Sequence, residues 1–171
     1  MRDVLVVVDM QNDFITDSLG TAEAVAIVPA VKEKIEGFSG RVIFTRDTHG
    51  EDYLSSREGG MLPIEHCIRG TKGWEICGEL APFAEEIVDK PTFTSPELGE
   101  MLVKMDQEEG IGEITVIGLC TDVCVISISM TLRGFLPETP IHVTERCCAG
   151  VTPEGHKTAL AAMANAQVLI D

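Results

Sequence analysis

The sequence predicts an α/β fold with three layers, in which a six-stranded parallel sheet is flanked by helices on both faces. Short runs of aliphatic residues alternate along the chain with longer segments whose apolar residues recur at helical spacing. Strands that alternate with helices in this way form parallel sheets, because each helix returns the chain to the edge from which the next strand starts. We find no linker in the 171 residues and expect one domain spanning residues 1–171.

Each predicted element has a local reason. The first strand, residues 4–8, is an unbroken apolar run, which is typical of a strand buried on both faces. The first helix, residues 22–38, has its apolar residues on one stripe, and Ser95 supplies an N-cap for the helix that begins at Pro96. The predicted strands are 4–8, 41–45, 86–88, 113–117, 141–144 and 167–170, and the predicted helices are 22–38, 96–107, 125–135 and 153–165.

The segment from residue 46 to residue 74 has no sustained periodicity and is rich in Gly, Ser, Glu and His. A segment of this length without regular structure inside a compact domain is usually functional or disordered. The histidines embedded in it, His49 and His66, favour a functional segment.

Charge excludes two classes of partner. The chain has 28 Asp and Glu against 13 Lys and Arg, which gives a formal net charge of −15. Nucleic acids and anionic membranes both require a basic face, so we expect the chain to bind neither. The charge is a weak argument for neutral or cationic small molecules as substrates.

The sequence predicts a cytoplasmic protein. No apolar stretch is long enough to cross a bilayer, and the apolar run at 5–8 is too short for an export signal and leads directly into Asp9. The six cysteines show no disulfide-framework spacing, so we expect reduced thiols.

Cys124 has the position of a nucleophile. It follows the strand predicted at 113–117 and opens the helix predicted at 125–135. Unpaired N–H groups at a helix N-terminus favour thiolate over thiol and can hold a developing oxyanion. Cysteine is also among the residues most often buried as a small apolar group, so position alone leaves a structural role equally open.

Asp9 and Lys90 follow two other predicted strands and are expected at the same edge of the sheet as Cys124. Burial at a strand end raises the pKa of a carboxyl group and allows Asp9 to accept a proton, although Asp9 could equally cap a loop. The Lys90 ammonium would stabilise a nearby carboxylate and thiolate, but most lysines are simply solvated. Together the three side chains would supply a base, a charge stabiliser and a nucleophile.

Asp47, His49, Glu58 and His66 form a second group of candidate site residues. The alternation of side chains in extended backbone points Asp47 and His49 to the same side. With His66 they offer one carboxylate and two imidazoles, a set that suits Zn²⁺, Fe²⁺ or Mn²⁺ with open positions for water or substrate. Surface histidines are common, so the spacing alone leaves a metal site and ordinary surface residues both open.

Five motifs resemble, in their order along the chain, the isochorismatase-like cysteine hydrolases and most closely the nicotinamidase branch of that superfamily. The resemblance covers nearly the whole chain, and five motifs in the right order are far more specific than any one of them. The motifs are Asp9-Met-Gln-Asn-Asp-Phe14, Asp47-Thr-His49, Pro63-Ile-Glu-His-Cys67 with Gly70-Thr-Lys-Gly73, Lys90, and Gly118-Leu-Cys-Thr-Asp-Val-Cys124.

The resemblance implies a catalytic triad and a site for the oxyanion. The triad falls on Cys124, Asp9 and Lys90, at one edge of a six-stranded parallel sheet. A cis peptide bond is implied before Cys120, which would place the backbone N–H groups of Cys120 and Cys124 around the oxyanion.

The resemblance also implies a bound divalent transition metal. In metal-containing relatives the ligands match Asp47, His49 and His66. Some relatives use a glutamate where others use another histidine, and Glu58 is the candidate for that place because no histidine lies between His49 and His66.

The substrate contacts follow the family pattern only in part. Nicotinamidases commonly stack the pyridine ring on a Phe and a Trp, and Phe14 matches the first of these. The position before Pro63, where a Trp is common, holds Leu62. The isochorismate and N-carbamoylsarcosine branches generally lack the metal ligands that this chain has, which counts against both.

The sequence therefore predicts a metal-containing cysteine amidohydrolase that converts nicotinamide to nicotinate and ammonia through a thioester. A related hydrolase for another small amide is the alternative in the same class. A non-catalytic thiol redox or metal-binding protein is a more distant alternative, suggested by six cysteines that include the pair Cys147 and Cys148. Relatives of this kind also lead us to expect a homo-oligomer.

Overall fold

The computed structural model describes residues 1–171 and contains one six-stranded sheet. The strands are β1 (Arg2–Val8), β2 (Arg41–Asp47), β3 (Ile87–Lys90), β4 (Ile111–Leu119), β5 (Ile141–Ala149) and β6 (Leu169–Ile170). Their order across the sheet is β3-β2-β1-β4-β5-β6, and every neighbouring pair is parallel. The predicted six-stranded parallel sheet is confirmed.

Helices connect consecutive strands. They are α1 (Asn12–Ile15), α2 (Ala22–Glu36), α3 (Arg57–Met61), α4 (Pro96–Glu109), α5 (Ile126–Phe135) and α6 (Pro153–Asn165). A π-helical turn, Thr121–Val125, leads directly into α5. Helices α4, α5 and α6 pack side by side, and α2 packs against β4 and β5. None of the helices has the length and apolarity that crossing a membrane requires.

Strand β1 lies at the centre of the core. The side chains from Val4 to Val8 are all inaccessible to solvent. Because successive side chains of a strand point to opposite faces, the sheet is covered on both faces at this strand. The unbroken apolar run in the sequence reflects that double burial.

Four helices begin at the kind of cap that the sequence predicts for α4. The hydroxyls of Thr21, Ser56, Ser95 and Thr152 each accept a hydrogen bond from the backbone N–H three residues later, at 3.0, 2.9, 3.1 and 3.0 Å. Each bond satisfies an N–H group that the first helical turn leaves without a partner.

Every strand differs from its predicted bounds at one end or both, and the differences in β3 and β5 concern the site and the register of the sheet. Strand β3 begins and ends later than the predicted 86–88, so Lys90 is the last residue of the strand instead of lying beyond it. Strand β5 continues five residues past the predicted end at residue 144. The exposed pair Glu145 and Arg146 breaks the alternation of burial there, and the register with β4 shifts at the same place. A pattern of period two does not extend across such an irregularity.

The segment from residue 46 to residue 74 contains only short elements of secondary structure after the end of β2. It contains a 3₁₀ turn at Tyr53–Ser55 and the short helix α3. A parallel bridge joins His49 to Ile68, so the segment folds back on itself. This return brings its second histidine, His66, towards the end of β2.

Gly118 allows β4 to approach β1 beside the site. Its φ is +118°, a region that L side chains rarely adopt. A Cβ at this position would overlap the backbone of Val8. The glycine therefore sits where the ends of the two central strands come closest.

Candidate active site

The candidate site lies where the order of the strands reverses. Asp9 follows β1, Asp47 and Lys90 are the last residues of β2 and β3, and Cys124 lies in the turn after β4. Strand β1 has β2 on one side and β4 on the other, so the chain leaves β1 and β4 in opposite directions across the sheet. Crevices at the carboxyl ends of strands form at such switch points.

Lys90 contacts both other members of the expected triad. Its Nζ lies 2.6 Å from Asp9 Oδ2 and 3.4 Å from Cys124 Sγ. It also lies 3.4 Å from Asp47 Oδ1 and donates to the backbone oxygen of Thr92 at 3.0 Å. Asp9 and Lys90 are both fully buried. The structure thus brings Asp9, Lys90 and Cys124 together around one ammonium group.

Asp9 is held in an unusual backbone conformation. Its φ is +47°, in the left-handed region that costs most residues energy and that Asp tolerates better than most. Oδ1 accepts a hydrogen bond from Thr45 Oγ1 at 2.7 Å, while Oδ2 makes the ion-pair contact with Lys90 without the alignment of a hydrogen bond. Burial raises the pKa of Asp9 and the charge of Asp47 adds to this, although Lys90 opposes both. A raised pKa suits a group that accepts a proton.

The pKa of Cys124 corrects one expectation from the sequence. A helix N-terminus was expected to favour the thiolate, but burial raises the pKa of this thiol well above its usual value, and the charge of Asp9 raises it further. Lys90 offsets only part of this effect. Burial would also lower the pKa of Lys90, yet the charges of Asp9, Cys124 and Asp47 raise it. Burial and the charge of Asp9 therefore oppose the thiolate that a helix N-terminus favours, while the anions around Lys90 favour its ammonium form.

The turn that carries Cys124 also presents a free backbone donor. The peptide bond between Leu119 and Cys120 is cis, as the resemblance implies. The carbonyl of Cys120 accepts from the N–H groups of Val123 and Val125, each at 3.1 Å, whereas the N–H of Cys120 donates to no group of the protein. That N–H is available to an oxyanion.

The second group of candidate residues converges beside the first. Asp47 Oδ2 lies 3.0 Å from His49 Nε2 and 3.6 Å from His66 Nε2. Glu58 Oε1 lies 3.5 Å from His49 Nε2 and 3.6 Å from His66 Nε2. Four atoms about 2.0–2.2 Å from a tetrahedral zinc ion are about 3.3–3.6 Å apart. These distances are close to that spacing, and the four ligand atoms all lie within 4.8 Å of one another, so a small adjustment of the side chains would allow them to hold a metal ion.

The carboxylate of Asp47 joins the two groups. Oδ1 faces Lys90, and Oδ2 faces both histidines. Burial would raise the pKa of Asp47, but hydrogen bonds with His49 and His66 and the charge of Lys90 hold it well below its usual range. Nδ1 of His66 lies 2.8 Å from the backbone oxygen of Ile64, which directs Nε2 of that ring towards Asp47 and Glu58.

A cavity of about 160 Å³ opens onto both groups. Phe14 and Leu62, the two predicted substrate contacts, both line it. The cavity is largely apolar, and no lysine or arginine is among the residues that line it, which are Phe14, Leu19, Thr21, Asp47, Glu58, Leu62, His66, Phe93, Cys120, Val123, Cys124 and Val151.

Sequence reasoning missed two residues of the site. Phe93 adds a second aromatic side chain to the cavity, and its place shortly after β3 was the available signal. Gln11 is fully buried and pairs with Asp47 as a neighbouring strand would. Its Nε2 donates to the oxygen of Asp47 at 2.8 Å, and its Oε1 accepts from the N–H of Asp47 at 2.7 Å. The signal for Gln11 was its place inside the first motif.

The fold and the cluster at the strand ends define an α/β protein in which a buried ammonium group contacts a buried carboxyl group and a buried cysteine. A model of the isochorismatase domain matches residues 3–170. The isochorismatase family protein PncA of Bacillus subtilis is 30% identical, over 96% of each chain. The nicotinamidase/pyrazinamidase of Mycobacterium tuberculosis is 27% identical, over 71% of this chain and 73% of its own.

Solved structures agree with these sequence relatives. The pyrazinamidase of Pyrococcus horikoshii in complex with zinc has a TM-score of 0.85 and 28% identity, over 100% of this chain and 99% of its own. N-carbamoylsarcosine amidase from Thermoplasma acidophilum has a TM-score of 0.80 and 26% identity, over 100% and 96%. This chain belongs to the isochorismatase family, on its nicotinamidase-like branch, and is an amide-bond hydrolase.

The contacts of Lys90 predict a large cost for its removal. We expect Lys90→Met to lower the free energy of unfolding by about 3–5 kcal/mol, because it leaves the Asp9 carboxylate buried without a cation. The double variant Lys90→Met with Asp9→Asn should recover part of this loss. Urea denaturation measures both values.

The exposed Lys104 provides a matched control, since its side chain is 76% exposed and pairs only with Glu108 at 3.9 Å. Lys104→Met should change the free energy of unfolding by less than about 0.5 kcal/mol. Strictly additive losses in the Lys90 and Asp9 variants would show that the two groups do not stabilise each other.

Proposed function

We propose that this chain is a metal-containing cysteine amidohydrolase that hydrolyses nicotinamide to nicotinate and ammonia. The observation that carries the proposal is the position of Lys90 Nζ, within 3.4 Å of both Asp9 and Cys124. Cys124 lines the cavity together with Asp47, Glu58 and His66, three of the four possible metal ligands. The nicotinamidase and pyrazinamidase relatives support the same reaction.

Asp9 and Cys124 carry the chemical steps. Asp9 takes the proton of the Cys124 thiol, and the sulfur attacks the carboxamide carbon to form a C–S bond. The N–H groups of Cys120 and Cys124 hold the oxyanion that develops on the carboxamide oxygen. Asp9 returns the proton to the amide nitrogen as the C–N bond breaks, and ammonia leaves.

Water completes the cycle. Asp9 takes a proton from a water molecule, and the resulting hydroxide attacks the thioester carbon. The C–S bond breaks, the carboxylic acid forms, and Asp9 returns its proton to the sulfur. The acid then loses its proton to solvent and becomes nicotinate. Lys90 remains charged throughout and stabilises whichever of Asp9 and Cys124 carries the negative charge.

Asp47, His49, Glu58 and His66 would hold the metal ion. When bound, the ion supplies a Lewis acid that can fix the position of a ring nitrogen or a water molecule. The zinc complex of the Pyrococcus horikoshii relative supports a divalent transition metal here, with Zn, Fe and Mn as candidates.

The cavity favours a small neutral amide with an aromatic ring. Its lining is mainly apolar and contains no lysine or arginine. Phe14 supplies one ring for stacking, and Phe93 lies in the same cavity. Leu62 replaces one aromatic wall with an aliphatic one, which costs about 0.5–1.5 kcal/mol of stacking energy.

The alternative is a related hydrolase for another small amide. Leu62 at the wall of the cavity favours it, and so does the similarity to an N-carbamoylsarcosine amidase. Membership of a hydrolase family sets aside the non-catalytic thiol or metal-binding protein. Homo-oligomerisation and cytoplasmic location stay predictions.

Replacement of the nucleophile should abolish activity. We expect Cys124→Ala to lower the kcat for nicotinamide by at least about a thousandfold with an unchanged far-UV spectrum, because it removes the attacking sulfur and little packing. Asp9→Asn should be nearly as severe. Cys77→Ala is the control, since Cys77 is also a buried free thiol but does not line the cavity. A tenth of wild-type activity in Cys124→Ala would refute a covalent mechanism.

The ligand set predicts about one transition-metal ion per chain. His49→Ala and His66→Ala should each lose the ion, and Glu58→Ala should weaken binding less. Elemental analysis after gel filtration measures the ratio. The control is His142→Ala, because His142 lies at the far end of β5 and contacts Glu113 and Asp171. If His49→Ala and His66→Ala do not change the metal content, these two histidines are not metal ligands.

Benzamide tests whether the ring nitrogen matters, because it keeps the ring and the amide of nicotinamide but lacks that nitrogen. We expect nicotinamide to have a kcat/KM at least about tenfold higher, the equivalent of about 1.4 kcal/mol. Steady-state ammonia release from both amides gives the comparison. Leu62→Trp should tighten nicotinamide binding by restoring the second wall. Equal kcat/KM for the two amides would favour a general small-amide hydrolase.

A further inference from the structure

A histidine outside the triad and the metal group contacts the turn that carries Cys124. Thr121 is the first residue of that turn and is fully buried. Its Oγ1 lies 2.7 Å from Nδ1 of His156, which belongs to the first turns of α6. The side chain of His156 is 16% exposed. None of the steps proposed above uses either residue.

The Thr121 hydroxyl depends on this contact. A buried hydroxyl without a hydrogen-bond partner costs free energy, and His156 is the only partner of the Thr121 side chain in the structure. Thr121 directly follows Cys120, and the Val125 N–H donates to the Cys120 carbonyl across the turn at 3.1 Å. The turn is therefore a closed unit, and a displacement of Thr121 moves Cys120 and Cys124 with it.

Asp122, the next residue of the turn, also contacts the start of α6 and the connection that precedes it. Asp122 Oδ1 accepts a hydrogen bond from the N–H of Val151 at 2.9 Å, and Asp122 packs so closely on Gly155 that a Cβ there would overlap its carboxylate. Val151 lines the substrate cavity. Two consecutive side chains of the turn are thus anchored to the β5–α6 connection and to the start of α6.

The imidazole of His156 makes one short contact, through Nδ1 to the buried Thr121 hydroxyl on the side that faces the turn. An open cavity of about 370 Å³ lies on the outer side, lined by Glu145, Arg146 and Lys157 among others. There the nearest charged partner, Glu145 Oε1, is 3.9 Å from Nε2. The hydrogen bond to Thr121 is therefore the main constraint on the ring, and the ring acts on the turn rather than on a surface network.

We propose that His156 is a positioning residue, which holds the Thr121 hydroxyl and thereby fixes the turn that presents the Cys124 sulfur and the Cys120 N–H. This inference rests on the proposed function, since it assumes that Cys124 is the nucleophile. A misplacement of about 1 Å can cost about 100-fold in rate. Loss of the contact should lower kcat more than it raises KM, because Phe14 and the metal ligands lie on other elements.

The experiment removes each partner and then restores the contact. His156→Leu and Thr121→Val should each lower the kcat for nicotinamide about tenfold or more, with KM within about threefold of wild type. His156→Asn should restore most of the rate, because an Asn amide atom lies as many bonds from the backbone as Nδ1 does. Thr121→Ser should do the same because it keeps the hydroxyl. Lys157→Leu is the control, since Lys157 lines the outer cavity beside His156 and does not contact the turn.

Hydrogen exchange and a double variant complete the test. Amide exchange in residues 120–126 should become faster in His156→Leu and not in Lys157→Leu. The variant with both His156→Leu and Thr121→Val should be no slower than the worse single variant, because both changes remove one contact. Additive losses, unchanged kcat in the single variants, or equal losses in the Asn and Ser variants would overturn the proposal.

Failure of the proposed function gives a different result. If wild-type protein does not hydrolyse nicotinamide, or Cys124→Ala keeps the activity, the proposed function is wrong. The positioning role is then judged from the rate at which iodoacetamide alkylates Cys124, measured by mass spectrometry. A rate that differs from wild type in His156→Leu and returns in His156→Asn supports the role, and an unchanged rate contradicts it.

Discussion

The buried ion pair between Lys90 and Asp9 is the interaction on which the rest of the site depends. Two full charges without solvent exposure are stable only when each compensates the other, since the cost of desolvation for an isolated buried ion is several kcal/mol. Burial and the charge of Asp9 raise the pKa of the Cys124 thiol, Lys90 lowers it, and the charge of Asp9 raises the pKa of Lys90. Asp9 and Cys124 thus share one cation, which compensates negative charge on either of them.

Asp47 extends this arrangement to the metal group. One of its oxygens faces Lys90 and the other faces His49 and His66, so a single carboxylate belongs to both clusters. Gln11 pairs with the backbone of Asp47 on both its N–H and its carbonyl. A small change in the position of Asp47 would therefore affect the charge balance at Lys90 and the geometry of the ligands together. We infer that Asp47 fixes the position of the metal group relative to Lys90.

The turn after β4 is the third support of the site. It carries Cys120 and Cys124, and Thr121 and Asp122 between them point away from the triad to His156 and Val151. Cys120 and Cys124 line the cavity, whereas Thr121 and Asp122 hold the turn to α6 and to the connection after β5. If Cys124 is the nucleophile that we propose, its position depends on residues that contribute no chemistry of their own.

Local patterns in the sequence were sufficient for the six strands, the four long helices and the edge of the sheet where polar residues gather. Buried parallel strands appear as short runs of aliphatic residues, and helices as apolar residues that recur with a period of 3.6. The motif order indicated the family, and with it the residues of the triad and the metal group. The sequence could not determine that Asp47 is shared between both clusters, that Phe93 and Gln11 join the site, or that burial raises the pKa of Cys124. These features depend on contacts between residues far apart along the chain, such as Gln11 with Asp47 and Asp47 with Lys90, which only the folded sheet and its crossovers bring together.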